Sequence, residues 1–369
     1  MNPRFTDQVL YLNLSSSFNI TSPPWSQIAT SPIPIPLFYP ALCLSTDGST
    51  VHLVGGLSQD QQNSSILMIP QSSVYAFNIN SMQWTSPSIS NFNNTFLGRE
   101  YVQGVADSNG NCYLFGGYLT NITAESPRIY YNDTNIFDTK EMKWSTLTLP
   151  NAPLRLRAYS AVLKDNLILY IGGLGSSMDT ISAFDTTNLK WLSMTTSGDS
   201  IKPRLGQSAV LTQDGRIIIY GGIGTTGIQV QPDVAVLYVN TTPYTWKAIT
   251  DKAPQSLVYH STTLYGIYMI VAFGSIAPTS ISTTSLTLNS NLYIFNAQNY
   301  TWVNTFDVSD VNGFVSKHPP ELVETISLGA KIGIGIGVVA AVGIIAAVVG
   351  FFLYKKFRNS VATPGTQYI

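Results

Sequence analysis

The sequence predicts an all-β repeat fold followed by one C-terminal transmembrane helix. Tryptophan recurs every 47 to 60 residues, each time after a short apolar run and a turn. Glycine pairs close apolar runs at a period of about 55 residues. A third observation is an apolar and glycine run over residues 332–354. A residue type confined to one register of a repeat marks a structural unit, and the tryptophans are Trp25, Trp84, Trp144, Trp191, Trp246 and Trp302.

Each repeat unit is predicted to hold two β-hairpins. The first ends at a glycine pair, and its turn carries sequences such as Asp47-Gly48 and Asn109-Gly110, which accept the positive φ angles of tight turns. The second ends at the tryptophan and begins its turn with Asn or Asp, whose short side chain bonds the backbone nearby. These turn residues are Asn78, Asp138, Asp185, Asn240 and Asn296. The unit is therefore a four-stranded antiparallel blade.

Strands this short cannot bury a face alone, so the blades must stack around an axis. The ordered glycine pair, Asp or Asn, and tryptophan over residues 8–308 resemble the kelch-repeat β-propellers, including the galactose oxidase-like group. The resemblance implies a kelch-type β-propeller. The predicted scaffold residues are Gly55, Gly56, Trp84, Gly116, Gly117, Trp144, Gly172, Gly173, Trp191, Gly221, Gly222, Trp246 and Trp302, with Gly274-Ser275 as a degenerate fifth pair.

The number of half blades is uneven. Six strand pairs end in tryptophan but only five end in glycine, and the chain opens inside the second half of a blade. We expect a six-bladed propeller whose first blade is incomplete and has an exposed edge. This mismatch predicts an N-terminally truncated sequence. A five-bladed ring with a leftover hairpin is the alternative.

The apolar run divides the chain into four predicted regions. They are a propeller over 1–312, a juxtamembrane stalk over 313–331, a transmembrane helix over 332–354 and a short basic tail over 355–369. Lys355, Lys356 and Arg358 follow the run, and positive flanks face the cytoplasm. We expect a type I protein with the propeller extracellular or luminal. The polar segment after Met1 is not a signal peptide, which leaves a cytosolic tail-anchored adaptor as an alternative.

Composition agrees with an exterior location. Charged residues make up only 11% of the chain, well below the usual ~25%. Attached glycans would supply solubility. Candidate N-glycosylation sites are Asn13, Asn19, Asn63, Asn93, Asn121, Asn132, Asn240 and Asn299.

Small residues in the apolar run share one helix face. Gly333 and Gly337 are four apart, a spacing that permits close helix contact in lipid. We expect this face to form a homodimer. Replacing both glycines with leucine would then abolish a dimer signal in a membrane two-hybrid assay, whereas an unchanged signal would exclude the dimer.

The few groups able to perform chemistry do not form a recognised set. The galactose oxidase resemblance implies a copper centre, for which the chain offers His52, His260 and His318. Tyr259-His260 looks like a copper Tyr-His pair, but kelch first strands often carry a His-Ser pair, and the domain that completes such an enzyme is absent. Cys43 and Cys112 are too few for a structural zinc site, and the sequence leaves their pairing open.

These observations predict a non-catalytic propeller, with no catalytic, cofactor-binding or metal-binding residues assigned. Loops 57–71 and 118–128 follow glycine pairs and are the predicted contact surface for a protein or cell-surface glycan. A net charge of −1 argues against nucleic acid. A galactose oxidase-like copper enzyme is the second hypothesis.

Overall fold

The computed structural model describes residues 9–28, 33–35, 37–59, 67–70, 72–119, 128–280 and 286–317. The regular secondary structure in these ranges is β-strand, except for one 3-10 turn at Asn94–Phe96 and one helix, α1, at Val308–Lys317. The all-β prediction is confirmed.

The strands follow one another in short segments along the chain. The first ten are β1 (Val9–Leu12), β2 (Phe18–Asn19), β3 (Trp25–Ile28), β4 (Leu37–Phe38), β5 (Ala41–Leu44), β6 (Thr50–Val54), β7 (Leu57–Gln59), β8 (Leu67–Met68), β9 (Val74–Asn78) and β10 (Gln83–Thr85). Then come β11 (Gly104–Ala106), β12 (Asn111–Phe115), β13 (Tyr118–Leu119), β14 (Ile129–Tyr130), β15 (Thr134–Asp138), β16 (Lys143–Leu147), β17 (Ser160–Lys164), β18 (Leu167–Ile171), β19 (Thr180–Asp185) and β20 (Lys190–Gly198). The last are β21 (Ser208–Leu211), β22 (Arg216–Tyr220), β23 (Val234–Tyr238), β24 (Tyr244–Ile249), β25 (Leu257–Val258), β26 (Ser261–Tyr265), β27 (Tyr268–Ala272), β28 (Ser275–Ile276), β29 (Tyr293–Asn296), β30 (Thr301–Val303) and β31 (Thr305–Phe306).

Most of these strands assemble into blades. β1 and β3 form a two-stranded sheet, which we name blade 1. Blades 2 to 6 each have four antiparallel strands: β5-β6-β9-β10, β11-β12-β15-β16, β17-β18-β19-β20, β21-β22-β23-β24 and β26-β27-β29-β30. Blades 4 and 5 are joined where β20 runs parallel to β24, from Thr196 opposite Tyr244 to Gly198 opposite Trp246. Five complete blades and one half blade are consistent with a kelch-type β-propeller whose first blade is incomplete.

The blades form a ring. The first strands of blades 2 to 6 contact one another in order, and apolar clusters fill the spaces between successive blades. Blade 1 lies between the two ends of the series, because Val9 and Ile28 pack against blade 2 while Leu12 packs against blade 6. β2 also pairs with β31, with Phe18 opposite Phe306. The short first blade is therefore a wedge that joins the beginning of the chain to its end.

The glycine pairs lie where neighbouring blades approach closely. All four pairs have φ between 62° and 93°, a region that costs glycine little. The amide of each second glycine donates to a carbonyl of the next blade: Gly56 to Arg99, Gly117 to Leu156, Gly173 to Arg204 and Gly222 to Leu257. The fifth pair differs from the predicted Gly274-Ser275. Phe273 and Gly274 hold the equivalent left-handed angles, at 62° and 76°, so the register is shifted by one residue and a phenylalanine replaces the first glycine.

The turn of the second hairpin begins as predicted at four of the five Asn or Asp positions. The side-chain oxygens of Asn78, Asp138, Asp185 and Asn296 each accept backbone N–H groups two and three residues later. Asn240 instead donates through its amide to the Asp214 carbonyl. An asparagine can act as donor or acceptor, and the surrounding turn selects between them.

The tryptophans differ in burial. Trp144, Trp191 and Trp246 are buried, whereas Trp25, Trp84 and Trp302 are partly exposed. The indole of Trp191 donates to Thr134 of blade 3, and that of Trp246 donates to the Met178 carbonyl of blade 4. Hydrogen bonds from these two indoles therefore join blade 4 to blade 3 and blade 5 to blade 4.

Cys43 and Cys112 form a disulfide, a pairing that the sequence left open. Cys43 lies in β5 of blade 2 and Cys112 in β12 of blade 3, with their Cα atoms 5.8 Å apart. Both residues are buried. A Cβ on Gly104 would lie 2.9 and 3.1 Å from the two sulfur atoms, so glycine there leaves room for the bond. The disulfide links blades 2 and 3 within the apolar cluster between them.

The predicted stalk beyond residue 317, the transmembrane helix, the basic tail, the Gly333/Gly337 face and His318 lie outside the described residues. Asn63 and Asn121 also lie outside them. Within the described ranges, no helix combines the length and apolar character needed to cross a membrane. The chain leaves the ring through α1, where Val311 packs on Gly266 and Asp310 accepts a hydrogen bond from the Tyr268 hydroxyl.

Candidate recognition face

The two ends of the ring differ in character. At one end, which we name the glycine face, the second strands end at the glycine pairs and the chain passes between blades. The other end, the turn face, carries the tight turns between first and second strands and between third and fourth strands. Five of the six exposed large apolar residues described lie on glycine-face loops: Met68, Ile69, Ile129, Leu154 and Leu288. Such a concentration is typical of a contact surface.

A ring of left-handed residues lies at the centre of the glycine face. One such residue precedes the first strand of each complete blade, with φ between 51° and 67°. These residues are Tyr39, Tyr101, Ala158, Gly206 and Tyr259. Backbone hydrogen bonds join four of them in series, from Ala158 N to Tyr101 O at 3.2 Å, Gly206 N to Ala158 O at 2.9 Å and Tyr259 N to Gly206 O at 2.7 Å. The left-handed angle costs each non-glycine residue roughly 1 kcal/mol. The backbone hydrogen bonds between these residues hold the angle in place.

Three of these residues are tyrosines, and a fourth tyrosine, Tyr118, packs beside them. The rings of Tyr39 and Tyr101 stack with centroids 4.0 Å apart. Tyr101 also lies 5.5 Å from Tyr118 and 5.8 Å from Tyr259. Burial raises the pKa of Tyr39 and of Tyr101 well above 10. The phenols therefore remain neutral.

An arginine–tyrosine patch adjoins the tyrosine cluster. The Arg157 guanidinium lies 4.6 Å from the Tyr118 ring centre and 4.9 Å from that of Tyr130. Arg155 lies 5.5 Å from the Tyr130 centre and Arg128 5.7 Å from the Tyr118 centre. A hydrogen bond from Arg157 is the main cause that lowers the pKa of Tyr130. We name Arg128, Arg155, Arg157, Tyr118 and Tyr130 the Arg–Tyr patch.

The patch carries three positive charges that form no ion pair with the acids of the described residues. The ion pairs of the described residues are Arg99–Asp133, Lys164–Asp165 and Arg216–Asp214, and the three patch arginines belong to none of them. The Nη1 atom of Arg157 is buried and lacks a hydrogen-bond partner among the described residues. Arg128 and Arg155 are exposed, so their guanidiniums can receive a carboxylate or another anion.

Arg99 shows what a structural arginine looks like in this ring. Its side chain is fully buried, contacts Asp133 at 2.6 Å and donates to the Gly116 carbonyl. Its guanidinium also lies 3.7 Å from the Tyr131 ring centre. Because its charge is compensated within the fold, we assign Arg99 to the scaffold and not to the recognition face.

The histidines proposed as copper ligands have separate surroundings. His52, in blade 2, contacts the Cys43 carbonyl and the edge of Phe137. His260, in blade 6, lies 2.8 Å from the Ser208 hydroxyl, and burial lowers its pKa to about 3. Among the described residues, no cluster of three or more His, Cys, Asp and Glu could hold a metal.

The Ser208–His260 contact superficially resembles a nucleophile and base. Nδ1 of His260, however, has no described hydrogen-bond partner to orient the ring. Ser160 and Ser261 begin first strands as Ser208 does, and each bonds a backbone carbonyl. A serine repeated at one blade position is a scaffold residue, so we do not assign this pair a catalytic role.

The predicted glycosylation sites are distributed over both faces. The described asparagines are exposed, except for Asn93, which is half-buried. Asn93 and Asn132 lie on glycine-face loops, and Asn240 and Asn299 lie in turns of the turn face. In three sites the asparagine oxygen accepts both the amide and the hydroxyl of the threonine two residues later: Asn19, Asn93 and Asn299.

The sequence located the loops near this face but missed the Arg–Tyr patch. The sequence predicts residues 118–128 as a contact loop, and the two ends of this loop supply Tyr118 and Arg128 to the patch. Arg155 and Arg157 come from the connection between blades 3 and 4, which is distant in sequence. The sequence shows two arginines close together in this connection. Only the assembled propeller shows that both lie against the side chain of Tyr130.

Comparison with known proteins identifies relatives of the ring. The model of the KLHDC2/KLHL20/DRC7 Kelch-repeats domain matches residues 4–222 and 159–313. The chain is 29% identical over 177 residues to human Kelch domain-containing protein 3, covering 44% of this chain and 45% of that protein. For the rat protein of the same name, identity is 25% over 221 residues, covering 55% and 52%.

A third relative is much larger. The flagellar outer arm dynein alpha chain of Chlamydomonas reinhardtii is 31% identical over 147 residues, which covers 38% of this chain and 3% of the dynein chain. This chain spans about half the length of the Kelch domain-containing protein 3 relatives.

Proposed function

We propose that this chain, which belongs to the KLHDC2/KLHL20/DRC7 kelch-repeats domain family, is a protein-binding propeller that uses its glycine face. Kelch domains generally mediate protein–protein interaction. The observation that carries the proposal is the coincidence, on one face, of exposed apolar residues and arginines that lack acidic partners. Arginine and tyrosine, which form the Arg–Tyr patch, are among the residues that dominate binding at protein interfaces.

The chemistry of the patch favours a partner segment that carries a carboxylate. Arginine can bind a carboxylate through two parallel hydrogen bonds, and the guanidiniums of Arg155 and Arg157 flank the same tyrosine ring. Leu154, next to Arg155 in the chain, is 72% exposed and provides an apolar contact. Tyrosines also suit a glycan, but the unpaired arginines favour an acidic protein segment.

Replacing Arg155 with alanine is expected to weaken binding of an acidic peptide about tenfold, the effect of losing one charge-assisted hydrogen-bonded contact. The measurement is a titration with a fluorescent poly-glutamate peptide at low salt. Lys190→Ala removes an exposed cation from the turn face and is the matched control. Equal weakening by both variants would mean that only overall charge matters, and would contradict a site on the glycine face.

We further propose that the propeller is tethered to a membrane through residues 332–354, with its glycine face pointing away from the bilayer. Supporting this orientation, α1 leaves the ring on the turn face, where Val311 packs against Gly266 in a turn of blade 6. A type I arrangement, with the propeller extracellular or luminal at the cell surface, is consistent with the Cys43–Cys112 disulfide, since such bonds persist in oxidising compartments.

Sidedness has a direct test in membrane vesicles. For the full chain, the type I arrangement predicts a gel-mobility shift after endoglycosidase treatment, and protection of the propeller from protease added on the cytosolic side. Replacing three of the exposed sites, by Asn19→Gln, Asn240→Gln and Asn299→Gln, should remove part of that shift. Digestion of the propeller by cytosolic-side protease would overturn the arrangement in favour of a tail-anchored adaptor.

A further inference from the structure

A groove of about 380 Å³ lies on the glycine face at the edge of the Arg–Tyr patch. Two segments line it: Tyr130, Tyr131 and Asn132 lead into the third strand of blade 3, and Leu154 and Arg155 belong to the connection from blade 3 to blade 4. This volume exceeds that of any single amino-acid side chain. The groove therefore offers space beside an arginine that the proposed acidic partner would bind.

The walls of the groove present apolar and aromatic surface. Leu154 is 72% exposed, and Tyr130 and Tyr131 are partly exposed. Cations lie against both rings: the Arg99 guanidinium is 3.7 Å from the Tyr131 centre, and that of Arg157 is 4.9 Å from the Tyr130 centre. Cation–π attraction helps to fix the two rings. An apolar side chain placed in the groove would remove this surface from water, which favours binding.

Arg155 brings a positive charge to the same groove. It is exposed and belongs to none of the ion pairs of the described residues. Arg157 instead donates a hydrogen bond to Tyr130. Arg155 is therefore the groove residue that can bind a carboxylate through charge-assisted hydrogen bonds.

The charge and the aromatic wall are a short distance apart. The Arg155 guanidinium lies 5.5 Å from the centre of the Tyr130 ring. In an extended segment, side chains on the same side are two residues and roughly 6.6 Å apart. An acidic side chain at Arg155 and a second side chain over Tyr130 would therefore come from positions two residues apart in the partner.

We propose that the glycine face recognises an extended acidic segment in which a large aromatic side chain stands two residues from the acid. The carboxylate binds Arg155, and the aromatic side chain enters the groove against Tyr130 and Leu154. The unpaired positive charge selects the acid, and the apolar walls select its neighbour. This specificity rests on the proposed function and narrows the class of partner, because a run of acidic residues alone would leave the groove unfilled.

The test compares three fluorescent glycine–serine peptides of equal length and net charge in titrations of the full chain at low salt. The first carries phenylalanine two residues before and two residues after a single glutamate, which serves either chain direction. The second has alanine in place of both phenylalanines, and the third has both phenylalanines moved six residues away from the glutamate. We expect the first peptide to bind about tenfold more tightly than the second, the effect of partly burying one aromatic side chain. The third should bind like the second.

Asn132 requires care in this experiment, because it lines the groove and is a candidate N-glycosylation site. The full chain is therefore expressed with an inhibitor of N-glycosylation. A poly-glutamate peptide is titrated in parallel as the reference for acidic binding.

Leu154→Ala should weaken binding of the first peptide about fivefold by removing apolar contact area, and should leave the second peptide unaffected. Leu189→Ala is the matched control, because Leu189 is also exposed, at 39%, but lies on the turn face. Both variants replace an exposed leucine and should keep the melting temperature of the parent.

The outcomes separate this specificity from the proposed function. Equal affinity for the first two peptides, or equal loss in the two leucine variants, would overturn the specificity. The proposed function would still stand if poly-glutamate bound and Arg155→Ala weakened that binding. No binding of any acidic peptide would overturn both.

Discussion

Gly221→Ala is expected to lower the free energy of unfolding by about 4 kcal/mol, combining backbone strain with a steric clash. Gly221 has a φ of 69°. A Cβ there would overlap the carbonyl oxygen of Leu257 and lie 2.8 Å from Cε1 of His260. The carbonyl cannot easily retreat, because Gly222 N donates to it at 2.8 Å. The clash would separate blades 5 and 6.

Gly227→Ala separates the two contributions. Gly227 has a φ of 83° and no neighbouring atom within 4 Å of the added Cβ. Its replacement should therefore cost only the conformational penalty, about 1 kcal/mol. Urea unfolding of both variants measures the difference. Similar losses would show that close approach of the blades is not the reason for glycine at position 221.

Trp144→Ala is expected to destabilise the protein by about 4 kcal/mol, the usual cost of deleting a fully buried large aromatic side chain. Trp144 is only 1% exposed. Its ring packs edge-on against Phe92 and Phe96, with centroids 4.8 and 4.9 Å away. Its indole N–H also donates to the side chain of Asn135. Truncation would open a cavity that the rigid blade cannot close.

Trp84→Ala tests whether burial, and not position in the repeat, sets this cost. Trp84 occupies the same position in blade 2 but remains partly exposed, and it packs on Phe77 at 4.9 Å. We expect a loss of about 1–2 kcal/mol. Thermal unfolding under identical conditions compares the two variants, and equal shifts in melting temperature would rule out burial as the cause.

The blade pattern could be predicted because each part of it is local. A glycine pair permits left-handed angles wherever it occurs, and Asn78 or Asp138 starts a turn by bonding the next residues. The fifth pair shows the limit of this logic. Phe273 adopts a left-handed angle that no local rule assigns to phenylalanine, and the surrounding ring imposes it.

The candidate sites depend on contacts that have no sequence period. Arg157 meets Tyr130, and Cys43 meets Cys112 across 69 residues, because the ring brings different blades together. Arg99 likewise pairs with Asp133, 34 positions later in the chain. Patterns of hydrogen-bond satisfaction are a property of the packed molecule, not of any segment.

The sequence by itself therefore determined the repeated blade, its turns, its scaffold glycines and tryptophans, and the apolar run near the C-terminus. These follow from backbone angles and hydrophobic patterning, which act over a few residues. Only the tertiary structure decided how blade 1 wedges between blades 2 and 6, which two strands the disulfide joins, and which face carries unpaired arginines. Those features arise from distances between blades, and such distances exist only once the ring is assembled.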